Sequence, residues 1–437
     1  MTSRDAGADP PDVISEALAD LRDRLAADEE GEVARYIPPL ALADPADFGL
    51  ALVSREGHRY RAGQSDTRFT IQSVSKPFVF ALALTDLGLE ETTRWVGAEP
   101  SGEAFNAISL EPGTGRPANP MINAGAIATS SLIGAADNEE RFARILDVLG
   151  RFAGRTLDVD ERVHEAEAAT GDRNRALAHL LRASGRLRLD PVEAADVYFR
   201  QCAVLVDTVD LAVMAATLAD GGRNPVTDEQ VVPEPVAVQV LAVMATCGMY
   251  DASGDWMLRV GLPAKSGVSG GLLAVSPGRF GIACYSPPLD PVGNPVRAVA
   301  ALRELSARFG LHLLHNPAPS APTITTARRD PRTGALLVTA QGSLDFTAAE
   351  RLVHTLRRFA STFTSATATA TASGAGPTAA SGAESIVLDL ERVAALDSTA
   401  LALVSATLAR IEAAGHVVRV VGDAGRALGR QGSGDGP

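Results

Sequence analysis

Eight residues, His315-Asn316-Pro317-Ala318-Pro319-Ser320-Ala321-Pro322, divide the chain into two unlike parts. Three of them are prolines. Proline lacks a backbone donor and pushes the residue before it out of the helical region, so no helix or paired strand runs through this segment. One hydrophobic core cannot grow across it, and 437 residues are too many for one ordinary core anyway. The sequence therefore predicts a first domain over 12–315, a linker at 316–322 and a second domain over 323–430.

The first part opens with a segment at 1–11 that reads as disordered. Val13, Ile14, Ala17, Leu18, Leu21 and Leu25 then fall on one stripe and predict a helix over 12–28. A hairpin follows, with arms at 48–54 and 58–61 around Arg55-Glu56-Gly57. PFVFALALTDLGL predicts a mostly apolar helix over 75–89, placed centrally in the core. Residues 90–250 are mainly of helical pattern. Strands at 271–276 and 279–286 meet at Pro277-Gly278, and a helix closes the part at 295–310. Strands at both ends with helices between them predict an antiparallel sheet carrying a helical insert.

The second part alternates differently. Strands at 323–328 and 335–341, a helix at 346–360, a strand at 385–390, a helix at 398–414 and a strand at 416–421 make a small α/β domain. Residues 361–384 are low-complexity Ala, Thr, Ser and Gly. They offer too little apolar surface to offset ordering entropy, and a mobile loop is expected.

Charge narrows the partners. Acidic residues outnumber basic ones by 53 to 40 and the two are interleaved, so no basic face for nucleic acid is present. MTSRDAGADPPD has no basic start followed by an apolar run, which argues against a signal peptide. No apolar stretch approaches the roughly 18 residues of a membrane span. A cytoplasmic protein without membrane partners is expected. Cys202, Cys247 and Cys284 sit singly in apolar stretches and read as buried, reduced thiols. His312 and His315 lack a third ligand at metal-site spacing, so no metal is expected.

Two short motifs carry chemistry. In Ser73-Val74-Ser75-Lys76, a spacing of three puts hydroxyl and amine on one helical face. A serine hydroxyl needs a base, and a desolvated lysine is neutral enough to be one. Alone, this motif is as well explained by a capping serine and a surface lysine. Lys265-Ser266-Gly267-Val268-Ser269-Gly270-Gly271 enters the strand LLAVS and resembles the Lys-Ser/Thr-Gly strand of penicillin-recognising serine hydrolases. Such a strand brings a backbone N–H to an oxyanion, and its lysine adds positive field. An ordinary Gly-rich turn and a phosphate loop are the rival readings, the second disfavoured because Ala264 stands where that loop needs glycine.

Longer stretches surround these motifs: YIPPLA (36–41), QSVSKP (72–77), GRPANPMINAGAIATSSL (115–132), EAATGDRNRALAHLLRASG (167–185), DVYFRQCAV (196–204) and CGMYDASGDWMLRVGLPAKSGVSGG (247–271). Together they resemble the bacterial and mitochondrial serine-dependent glutaminases over residues 12–312. The resemblance implies an α/β fold of the β-lactamase/transpeptidase type, an antiparallel sheet with a helical subdomain. It implies hydrolysis of L-glutamine to glutamate and ammonia with no cofactor, and a homodimer or homotetramer. It implies Ser73 as nucleophile, Lys76 as its base and Tyr250 as an aid to proton transfer. Tyr36, Gln72, Asn123, Glu167, Asn174, Tyr198, Tyr250 and Val268 become substrate-pocket positions, the Val268 and Ser73 N–H groups holding the oxyanion. Lys265 matches the Lys-Ser-Gly lysine of that family. The chemistry agrees: zwitterionic glutamine needs a carboxylate for its ammonium and donors for its carboxylate, which Glu167, Asn123 and Asn174 can supply.

QGSLDFTAAERL (341–352) and IVLDLERVAALDSTALALVSATLARIEAAG (386–415) resemble the STAS family of anti-sigma factor antagonists. This implies a regulatory or protein-contact role with an unknown partner. Ser398, in Asp397-Ser398-Thr399, matches the position where that family places a phosphorylatable serine; helix capping is its simpler role. Ala400 replaces a frequent glycine there, and the last helix is cut short at GRQGSGDGP. Two other readings of the chain remain at this point: a β-lactam hydrolase, which a cytoplasmic location disfavours, and an inactive scaffold, which the full set of site residues disfavours.

Overall fold

The computed structural model describes residues 13–102, 107–315, 322–345, 348–358, 385–423 and 428. The readings placed on 1–11, on the linker and on the low-complexity loop at 361–384 lie outside the described residues. The chain forms two compact units that divide after His315.

In the first unit the sheet is five-stranded and antiparallel. Its strands are β1 (Gly49–Ser54), β2 (Arg59–Gly63), β6 (Ala264–Ser266), β7 (Gly271–Ser276) and β8 (Phe280–Tyr285), in the order β2-β1-β8-β7-β6. The two hairpins are those expected, and strands from the two ends of the unit pair as β1 with β8.

Residues of β1, β7 and β8 alternate between two cores. Leu50, Leu52, Leu272, Ala274, Ile282 and Cys284 join Leu18, Leu21, Ala298, Leu302 and Leu305 of the first and last helices, Val13–Leu25 and Val296–Phe309. Ala51, Val53, Leu273, Val275, Ala283 and Tyr285 face the opposite way, into the helical region. Period-2 alternation with both faces covered produces the unbroken apolar runs GLALVS and GLLAVS. The helix Thr208–Ala219 lies directly on this second face. A Cβ at Gly281 would come within 2.1 Å of the Ala216 nitrogen, so only glycine admits that approach.

A second sheet went unseen in the sequence. β3 (Phe69–Thr70) and β4 (Asp158–Val159) both pair antiparallel with β5 (Val204–Val206). Strands of two or three residues leave no periodicity to read. This small sheet matters because Ile71 N–H donates to Val204 carbonyl at 2.8 Å, tying down the chain just before Ser73. The helix expected over 75–89 runs from Lys76 to Leu87 and is preceded by a 3₁₀ turn at Gln72–Ser75. Among the described residues, no single helix is long and apolar enough to cross a membrane.

The second unit is a four-stranded sheet in the order β12-β11-β10-β9, from Val417–Val421, Ser385–Leu396, Leu336–Leu344 and Ile324–Arg329. β10, β11 and β12 run parallel and β9 is antiparallel. Leu336, Val338, Ile386 and Leu388 pack with Leu352 and Leu356 of the helical residues 348–358 and with Val404 and Leu408 of the helix Ser398–Ala413. Capping of that last helix falls to Asp397, whose Oδ1 accepts from Ala400 N–H at 2.6 Å. The capping role read for Ser398 is thereby corrected: Ser398 is the first helical residue and is exposed.

Candidate active site

Ser73 sits in the 3₁₀ turn between β3 and the helix Lys76–Leu87. The residue before it, Gln72, has φ +48°, a left-handed conformation that costs about 1–3 kcal/mol in a non-glycine residue. Such strain persists only where the surroundings impose it. It is found again at Tyr250, with φ +55°. The Tyr250 hydroxyl is hydrogen-bonded to Ser73 and donates to the Ser266 carbonyl at 3.1 Å.

Ser73 opens onto a cavity of about 160 Å³, small for a drug-sized ligand and suited to a single amino acid. Tyr36, Gln72, Asn123, Glu167, Asn174, Tyr198 and Val268 line it with Ser73, so eight positions expected in one site do converge. They come from the segment before the first 3₁₀ turn, from the 3₁₀ turn Gln72–Ser75, from four helices of the helical region, and from the β6–β7 loop. Tyr36 stands at the mouth, 58% exposed. Lys76 and Tyr250 lie behind Ser73, fully buried or nearly so, rather than in the cavity wall.

Asn123, at the start of the helix Asn123–Leu132, is the hub. Its Oδ1 accepts from Lys76 Nζ at 2.7 Å and from the Tyr198 hydroxyl at 3.1 Å, and its Nδ2 donates to Asn174 Oδ1 at 3.0 Å. Burial strips Lys76 of water and lowers its pKa to about 8, against the upward pull of negative charge at Glu167. Burial likewise raises Glu167 to about 7, opposed by the hydrogen bond from Gln72 Nε2 at 2.7 Å and by Lys76. Tyr250 is pushed up to about 12 by desolvation, so it remains a phenol at neutral pH.

The β6–β7 loop abuts the turn that carries Ser73. A Cβ at Gly267 would stand 3.0 Å from Val74 Cγ2 and 3.2 Å from the Ile71 carbonyl oxygen. Behind the loop lies Lys265, fully buried. Its Nζ donates to the Ser266 carbonyl at 2.6 Å and sits 4.1 Å from the Tyr250 ring centroid. Desolvation, with Lys76 nearby, holds this amine well below the usual lysine range.

Five lining residues were not singled out from the sequence: Ile37, Thr170, Gly171, Arg173 and Cys202. Cys202 read as an ordinary buried thiol. It does bound the cavity, but burial pushes its thiol up and keeps it protonated, a poor nucleophile. Arg173 lies inside the GDRN stretch, where nothing marks an arginine on a helical surface as a pocket residue. Among the described lining residues, it alone carries a permanent positive charge.

The Glutaminase family profile matches residues 31–314, about two thirds of the chain, and spans every residue of this cavity. The chain belongs to the glutaminase family. A STAS domain profile matches residues 326–426. Glutaminase of Corynebacterium glutamicum is 41% identical over 94% of both chains. Glutaminase of Clavibacter michiganensis is 52% identical over 310 residues, 71% of this chain and 94% of its own. Glutaminase 2 of Bradyrhizobium diazoefficiens is 51% identical over 72% of this chain, which spans only 50% of that relative. The crystal structure of Mglu in its native form superposes with TM-score 0.82 at 43% identity, over 95% of this chain and 100% of its own. A probable glutaminase from Bacillus subtilis, complexed with 6-diazo-5-oxo-L-norleucine, superposes with TM-score 0.64 at 33% identity, over 70% and 98%. These likenesses carry the β-lactamase-like fold expected from the sequence.

Proposed function

We propose that this glutaminase hydrolyses L-glutamine through a glutamyl ester on Ser73. The single observation that carries the reading is a buried lysine, its pKa lowered to about 8, one helical turn beyond a pocket serine. Mglu has been crystallised in an L-glutamate-binding form, and the B. subtilis relative holds an amino-acid diazoketone; both ligands suit a cavity of this size.

In the proposed reaction, Ser73 Oγ attacks the side-chain amide carbon and its proton passes to the Lys76 amine, with the Tyr250 hydroxyl as the adjacent shuttle. The C–N bond breaks as a proton returns to the nitrogen, and ammonia leaves. Water then cleaves the ester, giving glutamate and restoring the serine. Because Tyr250 holds its proton at neutral pH, it donates or relays rather than acting as a standing base. The N–H groups of Ser73 and Val268 receive the oxyanion. Glu167 takes the α-ammonium, and Asn123, Asn174 and Arg173 face the α-carboxylate.

Ser73→Ala is expected to abolish ammonia release with an unchanged fold. Mass analysis of the quenched wild type should show a glutamyl adduct on Ser73. Turnover by the variant, or an adduct elsewhere, overturns the assignment.

The STAS unit is proposed to regulate the enzyme or bind a protein partner. Ser398 is exposed at a helix N-terminus, where a phosphate would be favoured. Association into dimers or tetramers belongs to the same proposal and rests on the family resemblance.

A further inference from the structure

Behind the nucleophile turn runs a chain of polar side chains that plays no part in the chemistry above. Ser75 Oγ donates to the Gln72 carbonyl at 2.7 Å. Gln201 Nε2 donates to Ser75 Oγ at 2.9 Å, and Gln201 Oε1 accepts from Ser130 Oγ at 2.8 Å. All three side chains have no solvent exposure. They stand among apolar residues, where an unpaired polar group costs about 1–3 kcal/mol, so the chain holds together as a unit.

Its direction is fixed by chemistry. Ser75 has one proton and gives it to the Gln72 carbonyl, so it must accept from Gln201. Only the amide nitrogen of Gln201 can supply that bond, which leaves the amide oxygen for Ser130, whose one proton is shared with the Ala126 carbonyl at 2.9 Å. The oriented chain ends on the carbonyl of the residue with φ +48°, whose next neighbour is Ser73. The Gln72 side chain, on the other side of the same residue, donates to Glu167.

The three elements joined are among those that carry the site. Ser75 shares the 3₁₀ turn with Ser73. Gln201 shares the helix Pro191–Cys202 with Tyr198 and Cys202. Ser130 shares the helix Asn123–Leu132 with Asn123.

We propose that Gln201 and Ser75 are positioning residues for the reaction: a buried clamp that holds the strained Gln72 backbone and so sets the line of attack of Ser73. The inference rests on Ser73 being the nucleophile. A clamp of this kind acts on geometry at the reacting atom, where a displacement near 1 Å costs about 10²-fold in rate.

The test compares Ser75→Ala, Gln201→Met, Ser130→Ala and the Ser75→Ala/Gln201→Met double variant in the full-length protein. The readouts are kcat and KM for L-glutamine, the rate of covalent labelling of Ser73 by 6-diazo-5-oxo-L-norleucine, and the melting temperature. Ser75→Ala is expected to lower kcat and the labelling rate by about 10- to 100-fold with little change in KM. Gln201→Met should follow it, Ser130→Ala should lose less, and the double variant should lose no more than Ser75→Ala. A lowered melting temperature with wild-type kcat and labelling in any folded single variant of Ser75 or Gln201 refutes the clamp, as does full additivity in the double variant. If Gln201→Met does not fold, the smaller Ser75→Ala decides alone. Absence of labelling in the wild type would instead strike at the nucleophile assignment.

Discussion

Lys76 Nζ lies 2.7 Å from Asn123 Oδ1, and the amine is sealed from solvent. The pair fits the base role proposed for this lysine. Desolvation disfavours the ammonium form, and the amide oxygen orients what remains. In the proposed reaction Lys76 works as the neutral amine, so its active fraction grows as pH climbs through about 8. In the same proposal Glu167 works as the carboxylate, and its active fraction grows as pH climbs through about 7. Both signs agree. The expected kcat/KM for L-glutamine falls away on the acid side of about pH 8 and steepens below about pH 7. A profile that is flat between about pH 6 and pH 9 contradicts the base assignment.

Glu167 is buried, acidic and held by Gln72 Nε2 at 2.7 Å, with its other valences facing the cavity. Replacing it with glutamine removes charge and keeps shape. A hydrogen bond to a charged group contributes about 1.5–3 kcal/mol, so KM should rise about 10- to 100-fold while kcat stays close to wild type. Steady-state kinetics decide: an unchanged KM means that the α-ammonium binds elsewhere.

The sequence made the sheet legible because β1, β7 and β8 are apolar runs closed by tight turns, and the site legible because its motifs are long. Three things escaped it, each for a physical reason. The strands β3, β4 and β5 are too short to show a period, yet β5 anchors the nucleophile turn through Ile71. Arg173 and Cys202 look locally like a solvated charge and a core thiol; only tertiary packing turns them to the cavity. Ser398 and Asp397 both have capping chemistry, and which of two adjacent residues is the cap depends on a backbone angle that composition does not encode.

Gly267 separates two backbones. Its φ is not in the left-handed region, so an added methyl group strains nothing locally and acts only through its neighbours, Val74 Cγ2 at 3.0 Å and the Ile71 oxygen at 3.2 Å. Gly267→Ala should push the 265–268 loop away from the nucleophile turn. The expected result is a kcat loss of about tenfold or more at a cost in stability of about 1–3 kcal/mol, read from turnover and chemical denaturation of the same sample. Full activity would show that the loop and the turn need not meet closely.

Arg173 brings the cavity's permanent positive charge to its wall. If it faces the α-carboxylate, Arg173→Met should raise KM for L-glutamine about tenfold, with far less effect on L-glutaminamide, which lacks that charge. Equal losses on both substrates would point to a packing role.

Every residue of the cavity lies between Tyr36 and Val268, and the first unit holds both hydrophobic cores that flank its sheet. The STAS unit has a separate core built from Leu336, Val338, Leu388 and Val404. In the Clavibacter relative, the 310 residues that match this chain make up 94% of its length, so a glutaminase of that size needs little more than the first unit. A chain ending at His315 should therefore fold cooperatively and keep kcat and KM for L-glutamine within about twofold of the full-length protein. Calorimetry and an ammonia assay on both chains check this. Loss of the folding transition would mean that the units share a stability the separate cores do not suggest. A folded but altered enzyme would instead place the STAS unit in control of the site.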